Sequence, residues 1–332
     1  MNDHEFEAQQ HTLIAWSDRF LGHDTGDHVE HPSRAQAINE RLVQSGLLAN
    51  RPDMYVQSAS TLLLERVHDR RYLEELERFS QRGGGWIDAD TYLGPDSLEI
   101  AKLAAGAASG VVQQIVSGRA KRGFSLGRPP GHHATRERAM GFCLYNSIAV
   151  AAETALEAGL ERVAIVDWDV HHGNGTQDIF YERSDVLFVS IHQYPFYPGS
   201  GAARERGQGA GDGYTINLPL GARSGDGAYL ELFDEIVAPA LRTYEPEMLL
   251  VSAGFDAHIR DPLGGMCVTD HGFAELAERA VSLAEELCGG RIAAVLEGGY
   301  DVDALARSVE AVIRVFDGAT PGAAVAALDA SG

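Results

Sequence analysis

Arg162 to Thr176 reads R-V-A-I-V-D-W-D-V-H-H-G-N-G-T, and the fold follows from it. Val163 to Val166 is an unbroken apolar run, the pattern of a parallel strand buried on both faces. It ends abruptly in Asp167, Trp168, Asp169, Val170, His171 and His172. If the backbone stays extended there, alternate side chains share a face, so Asp167, Asp169 and His171 point the same way. Two carboxylates and an imidazole where a strand gives out suit a divalent metal. In open α/β sheets that edge is also where ligands bind. Gly173 and Gly175 then permit a tight turn.

The pattern recurs outward along the chain. Phe124-Ser125-Leu126 is a short strand candidate that empties into Arg128-Pro129-Pro130-Gly131-His132-His133. Further strands are expected at Val186 to Ile191, Tyr214 to Leu218, Met248 to Ser252 and Ile292 to Leu296. The last two end in Ala253-Gly254-Phe255-Asp256 and Glu297-Gly298-Gly299-Tyr300. Helical periodicity lies between them, over Asn146 to Leu160, Gly227 to Tyr244 and Phe273 to Leu287. An Ala-rich helix from Ser97 to about Val116 precedes them, and its small side chains suit close packing on a sheet. Earlier still, Ile38, Leu42, Val43 and Leu47 mark one helix, and Val67 to Leu76 a second. Residues 1–30 read as polar loop, with Leu21 to His28 equally a solvated connection or a cleft rim. Gly83 to Thr91 reads as a flexible break. The Ala/Gly-rich tail, 318–332, is expected to be disordered, which leaves 1–317 as a single catalytic domain. Strands alternating with helices predict an α/β fold, a mainly parallel sheet covered on both faces.

Composition narrows the function. The chain has 332 residues, 45% of them hydrophobic, enough for one large α/β core. A formal net charge of -21 argues against a nucleic-acid or anionic-membrane partner and suits a cationic substrate. Cys143, Cys267 and Cys288 have no C-x-x-C spacing, so neither a disulfide framework nor a thiolate metal site is indicated. The first ten residues lack a basic segment followed by an apolar core, and no apolar run is long enough to span a bilayer. A cytoplasmic location is expected.

Four strand ends thus carry reactive residues: His132 and His133, then Asp167, Asp169 and His171, then Asp256, then Tyr300. A parallel sheet places those ends along one edge, where distant residues share a crevice. Asp169, His171 and Asp256 make a three-ligand set with an open position, the form of a catalytic zinc site. Two carboxylates cancel the metal's charge, so its water is less acidified and a general base is needed, which the His132/His133 pair can supply. Tyr300, beside two glycines, can aim its phenol at a polarised carbonyl. Together these are the parts for metal-assisted amide hydrolysis.

R-P-P-G-H-H-A from Arg128, G-F-C from Gly141, D-W-D-V-H-H-G-N-G-T-Q from Asp167, S-A-G-F-D-A-H from Ser252 and L-E-G-G-Y from Leu296 resemble the zinc-dependent histone deacetylase family. The likeness runs from about His31 to Tyr300. It is closest to the class II enzymes and their bacterial relatives, the histone deacetylase-like and acetylpolyamine amidohydrolases. The resemblance implies the arginase/deacetylase fold, a three-layer α/β sandwich. It assigns zinc to Asp169, His171 and Asp256, and the general base and acid to His133. It has His132, oriented by Asp167, tune the charge beside it. Asn174, where some relatives have Asp, backs His133, and Tyr300 stabilises the oxyanion. Gly141, Phe142 and Tyr197 line a tunnel for the acyl-lysine stem; many relatives have Phe at the position of Tyr197. Structural potassium is implied at Asp167, Ser190 and the carbonyls of Asp169, His171 and Ile191, with a second cation near Phe180, Val186 and Tyr214. Leu263 stands where a polyamine-selective relative has an acidic gatekeeper. Relatives commonly carry an Arg six residues after the His of the H-P pair; here that position is Ala37, with Arg34 one helical turn earlier.

The expected function is therefore zinc-dependent deacylation of an N-acetylated amine, most directly an acetyl-lysine side chain of a protein or peptide. The runner-up is acetylpolyamine hydrolysis, favoured by the net charge and disfavoured by Leu263. A non-catalytic binder of acetylated ligands requires loss of a ligand or of Tyr300, and none is lost. Arginase-like dimanganese hydrolysis requires further bridging carboxylates that the sequence does not offer. No nucleic-acid or membrane partner is expected, and an oligomer is compatible with the chain.

Overall fold

Every apolar run read as a strand forms one in the computed structural model, which describes residues 11–49, 51 and 54–330. In chain order the strands are β1 (Leu13–Ala15), β2 (Gly85–Trp86), β3 (Tyr92–Leu93), β4 (Arg122–Ser125) and β5 (Val163–Asp167). β6 (Val186–Gln193), β7 (Thr215–Leu220), β8 (Met248–Ala253) and β9 (Ile292–Leu296) follow. Seven of them form one sheet in the order β1-β4-β9-β8-β5-β6-β7, with parallel pairing throughout. β5 lies inside this sheet, between β8 and β6.

The period of a strand distributes its side chains over two cores. Ala164 and Val166 of β5, Leu187 and Val189 of β6 and Leu249 and Val251 of β8 face one layer. That layer holds the helices Ser33–Gln44, Asp270–Leu287 and Val302–Phe316. Val163, Ile165, Val186, Phe188, Met248 and Leu250 face the other, made of the helices Thr61–Val67, Arg70–Gln81, Ser97–Val116 and Ser147–Glu157. Apolar demand on both faces is why β5, β6, β8 and β9 read as continuous hydrophobic runs. The result is the expected α/β sandwich of three layers.

Several local expectations are corrected. Val67 to Leu76 is not one helix: the chain breaks at His68, and Asp69 caps a new helix by accepting the Arg71 N–H at 2.8 Å. Gly83 to Thr91 is ordered into a hairpin, β2 with β3, whose turn Asp88 closes on the Asp90 and Thr91 N–H groups. Within residues 11–30 the polar loop contains β1 and a 3₁₀ turn at Asp18–Gly22. The tail is not disordered over its described part: Pro321–Ala330 is a helix that buries Pro321, Ala324 and Leu328. Residues at spacings of three and four make one apolar stripe, which overrides an Ala/Gly-rich composition. Residues 1–10, used for the localisation expectation, lie outside the described residues. Among the described residues no helix is long and apolar enough to cross a membrane.

Candidate active site

β5 ends at Asp167, and the chain then coils rather than staying extended. Asp167 Oδ1 accepts the Asp169 N–H at 3.1 Å, and Asp169 Oδ1 accepts the His171 N–H at 2.9 Å. These two side-chain turns compete with the strand ladder and end it. Asp167, Asp169 and His171 therefore do not share one face as an extended chain demands. Asp167 turns to His132, whose Nδ1 lies 2.9 Å from its Oδ2. Asp169 and His171 converge instead with Asp256, from the end of β8.

Ligand atoms of Asp169, His171 and Asp256 all lie within 4.8 Å of one another, and all three residues are buried. His171 Nδ1 sits 3.2 Å from Asp169 Oδ1 and 3.1 Å from Asp256 Oδ2. Two buried carboxylates at this separation demand a positive charge. Against the penalty of burial, the carboxylates pull His171 up to about 10. Asp256 is pushed up to about 7 by burial and by Asp169. A divalent cation meets that demand better than one proton, and two oxygens with one nitrogen leave an open side for zinc. Gly298 makes the crowding feasible: a Cβ there would lie 2.1 Å from Asp256 Oδ2, and its N–H donates to Asp169 Oδ2 at 2.8 Å.

The loop after β4 brings the two histidines to the same edge. Glu297 Oε2, from the end of β9, accepts the Gly131 and His132 N–H groups at 2.6 and 3.1 Å. The His132 and His133 rings are 4.0 Å apart. Asp169 and Asp167 pull His132 well above the usual imidazole range despite its burial. His133 is held well below that range by burial and by the charges of His132 and His171. Its Nδ1 donates to Asn174 Oδ1 at 2.7 Å, which leaves Nε2 free to accept.

Aromatic rings complete the walls. Tyr197 meets His133 edge-on at 5.2 Å and His171 at 6.0 Å. Phe142 meets Tyr300 at 5.7 Å. It is held at φ 70°, a left-handed conformation that a neighbouring contact must secure; its N–H donates to Thr91 Oγ1 at 3.2 Å. Gly141 cannot be replaced, since its φ is +56° and a Cβ would meet His133 Cδ2 at 2.4 Å. Leu263 is half-buried on the loop after Asp256. Asp167 and Ser190 are register neighbours on β5 and β6, and Ser190 Oγ is 2.9 Å from His192 Nδ1. Ile191 follows on β6, fully buried.

Ala37 packs against the sandwich core, and Arg34 reaches the loop that carries Tyr300. Its Nε donates to Gly299 O at 2.6 Å, its Nη2 to Glu297 O at 2.5 Å, and its guanidinium lies 4.8 Å from the Tyr300 ring centre. Glu30 joins Arg34 to Arg128, at 3.0 Å and 2.7 Å, with all three buried. Sequence reasoning assigned no role to Glu297, Glu30, Arg128 or Phe196, which stacks on His171 at 5.3 Å. The signal for Glu297 and Arg128 was their place beside the strand-end motifs.

The structure is a parallel three-layer sandwich with two carboxylates and an imidazole gathered at the carboxyl edge of its sheet, a group that could hold a metal ion. Residues 28–316 match the family described as histone deacetylase domain, and the chain belongs to that family. It is 39% identical over 324 residues to histone deacetylase 15 of Arabidopsis thaliana, covering 95% of this chain and 58% of that one. It is 42% identical to a histone deacetylase-like amidohydrolase of Pseudomonas aeruginosa, covering 82% of this chain and 72% of the relative. A probable deacetylase of Archaeoglobus fulgidus is 39% identical, with 88% and 82% covered. The crystal structure of the HDA15 HD domain superposes with a TM-score of 0.88 at 38% identity, covering 96% of this chain and 94% of that one.

Proposed function

We propose that the chain is a zinc-dependent deacylase that hydrolyses the amide of an N-acetylated amine, with acetyl-lysine side chains as the substrate class, carried by one catalytic domain. The observation that carries this is the buried cluster of Asp169, His171 and Asp256, with His132 and His133 beside it and a Tyr300 phenol on which the charges of Asp169 and Asp256 act. Relatives named for deacetylation support it. Asp169, His171 and Asp256 would hold the zinc, which would supply Lewis acidity toward the acyl carbonyl and a water. The chain's own groups do the rest. His133 accepts the attacking water's proton at Nε2 and returns it to the amine nitrogen as the C–N bond breaks. His132, charged against Asp167, keeps His133 neutral before reaction. Tyr300 donates its hydroxyl to the carbonyl oxygen as negative charge grows there. Gly141, Phe142 and Tyr197 wall the stem, where each buried methylene contributes about 0.8 kcal/mol.

We assign a structural potassium ion to Asp167, Ser190 and the carbonyls of Asp169, His171 and Ile191, and a second to the surroundings of Phe180, Val186 and Tyr214. The pairing of Asp167 with Ser190, and the buried, unpartnered Ser252 Oγ on the facing strand, support the first. Three free cysteines support a reducing, cytoplasmic setting.

Acetylpolyamine hydrolysis is the second reading. It is supported by the net charge of -21 and by Asp88 and Asp90, whose charges act on the Tyr197 phenol at the wall. Leu263 disfavours it, because an apolar gate cannot attract a secondary ammonium. The test compares kcat/KM for an acetyl-lysine peptide and for acetylspermidine at about 0.15 M ionic strength, where surface steering is screened. The peptide is expected to be the better substrate, and Leu263→Glu to shift the ratio toward the polyamine. A tenfold wild-type preference for acetylspermidine replaces the first reading with the second.

A further inference from the structure

The charges of Asp256 and Asp169 act on the Tyr300 phenol, and its backbone has to be fixed before the phenol can be aimed. The preceding residues are pinned one by one. Glu297 N–H donates to Ala253 O at 3.0 Å, Gly298 N–H to Asp169 Oδ2 at 2.8 Å, and Gly299 O accepts from Arg34 at 2.6 Å. The Tyr300 N–H goes to a carboxylate from another loop, Asp261 Oδ2, at 2.6 Å. The same oxygen accepts the Asp301 N–H at 3.4 Å, just where Asp301 begins to cap the helix Val302–Phe316. Asp261 Oδ1 is used as well: it accepts the N–H groups of Leu263 and Gly264 at 2.9 and 3.2 Å. Asp261 is 8% exposed. One buried carboxylate therefore binds four backbone donors from two loops, with the phenol on one loop and Leu263 on the other.

We propose that Asp261 is a positioning residue for Tyr300, setting the phenol's approach to the reacting carbonyl and fixing the Leu263 turn in the same act. The proposal rests on the oxyanion reading of Tyr300. Charge-assisted bonds to a carboxylate are stronger and shorter than neutral ones, so a single such group can hold a φ/ψ pair against the pull of the adjoining helix. A displacement of the phenol by a fraction of an ångström weakens the donor where charge develops while substrate contacts elsewhere persist. Asp261 directs its hydrogen bonds to these four backbone groups, so its geometric effect on the site passes through Tyr300 and the Leu263 turn, and the cycle below isolates the part carried by the Tyr300 hydroxyl.

That dependence is measured with a double-mutant cycle on the zinc-loaded enzyme and an acetyl-lysine peptide: wild type, Asp261→Asn, Tyr300→Phe and the double variant. Asn is isosteric and keeps one acceptor oxygen. Asp261→Asn is expected to lower kcat about tenfold, the loss of roughly one charge-assisted hydrogen bond, with KM within about twofold. In the Tyr300→Phe background the same change is expected to have no further effect on kcat. Asp261→Glu, which restores the charge at a longer reach, is expected to recover part of the rate. An Asn variant at the wild-type rate, or an equal fractional loss with and without the Tyr300 hydroxyl, overturns the positioning role. So does loss of zinc or of the native melting transition in Asp261→Asn, since that marks a merely structural residue. Tyr300→Phe at the wild-type rate refutes instead the oxyanion reading on which the proposal stands.

Discussion

Asn174 Oδ1 lies 2.7 Å from His133 Nδ1 and fixes which nitrogen of that imidazole carries the proton. An uncharged amide oxygen accepts this hydrogen bond and orients the ring, and its pull toward the cationic form is smaller than the opposing effects of burial and of the charges of His132 and His171. This fits a His133 that burial and neighbouring charges hold well below the usual imidazole range. Asn174→Ala frees the tautomer and is expected to lower kcat about tenfold, roughly 1.4 kcal/mol, with KM nearly unchanged. Steady-state kinetics check it; an effect on KM alone moves Asn174 to a binding role.

In the proposed mechanism Tyr300 is the donor to the developing oxyanion. Burial pushes its phenol well above the ordinary tyrosine value, so it stays protonated and able to donate. Removal of one such donor is worth about 3 kcal/mol, more than a hundredfold in kcat. Tyr300→Phe is expected to show that loss with KM within about twofold. The ring contacts with Phe142 and Arg34 survive the change, so the fold should not respond.

Beneath Tyr300, Glu30 neutralises Arg34 and Arg128. Burial disfavours its charge, but Arg128 first and then His23 and Arg34 overcome that and hold its pKa well below the ordinary 4.5. Glu30→Gln leaves two guanidinium groups buried without a counter-charge, and a loss of about 3 kcal/mol is expected in chemical denaturation at pH 7. Since the folded pKa lies below the unfolded one, the stabilisation is complete above about pH 4.5 and fades as pH falls through the folded value. The gap between wild type and variant should therefore narrow in acid. A gap that widens below pH 4 contradicts the assignment.

The buried strands and their reactive ends were legible because burial on both faces writes an unbroken apolar run. Ile292–Leu296 and Ser97–Val116 fall where the pattern places them. β1 was not legible, because three residues are too few for a period to show. The helix Val302–Phe316 does carry its signal in the sequence, with Asp301 as cap and Leu305, Val309, Val312 and Phe316 on one face. In Pro321–Ala330 an Ala/Gly-rich composition masks a helix that only the spacing of Pro321, Ala324 and Leu328 reveals. In the site, Asp169, His171 and Asp256 follow from strand ends. The parts played by Arg34, Glu30, Glu297 and Asp261 depend on which backbone group a side chain meets across the fold, and no local pattern encodes that.

The most direct test of the central claim is zinc content measured together with acetate release from an acetyl-lysine peptide, for wild type and Asp256→Ala. Asp256 Oδ2 faces His171 Nδ1 at 3.1 Å, so its removal takes one of three ligands from the cluster. The wild type is predicted to bind about one zinc per chain and release acetate, and the variant to lose both together. Full zinc occupancy in Asp256→Ala, or a zinc-loaded wild type that releases no acetate, contradicts the account.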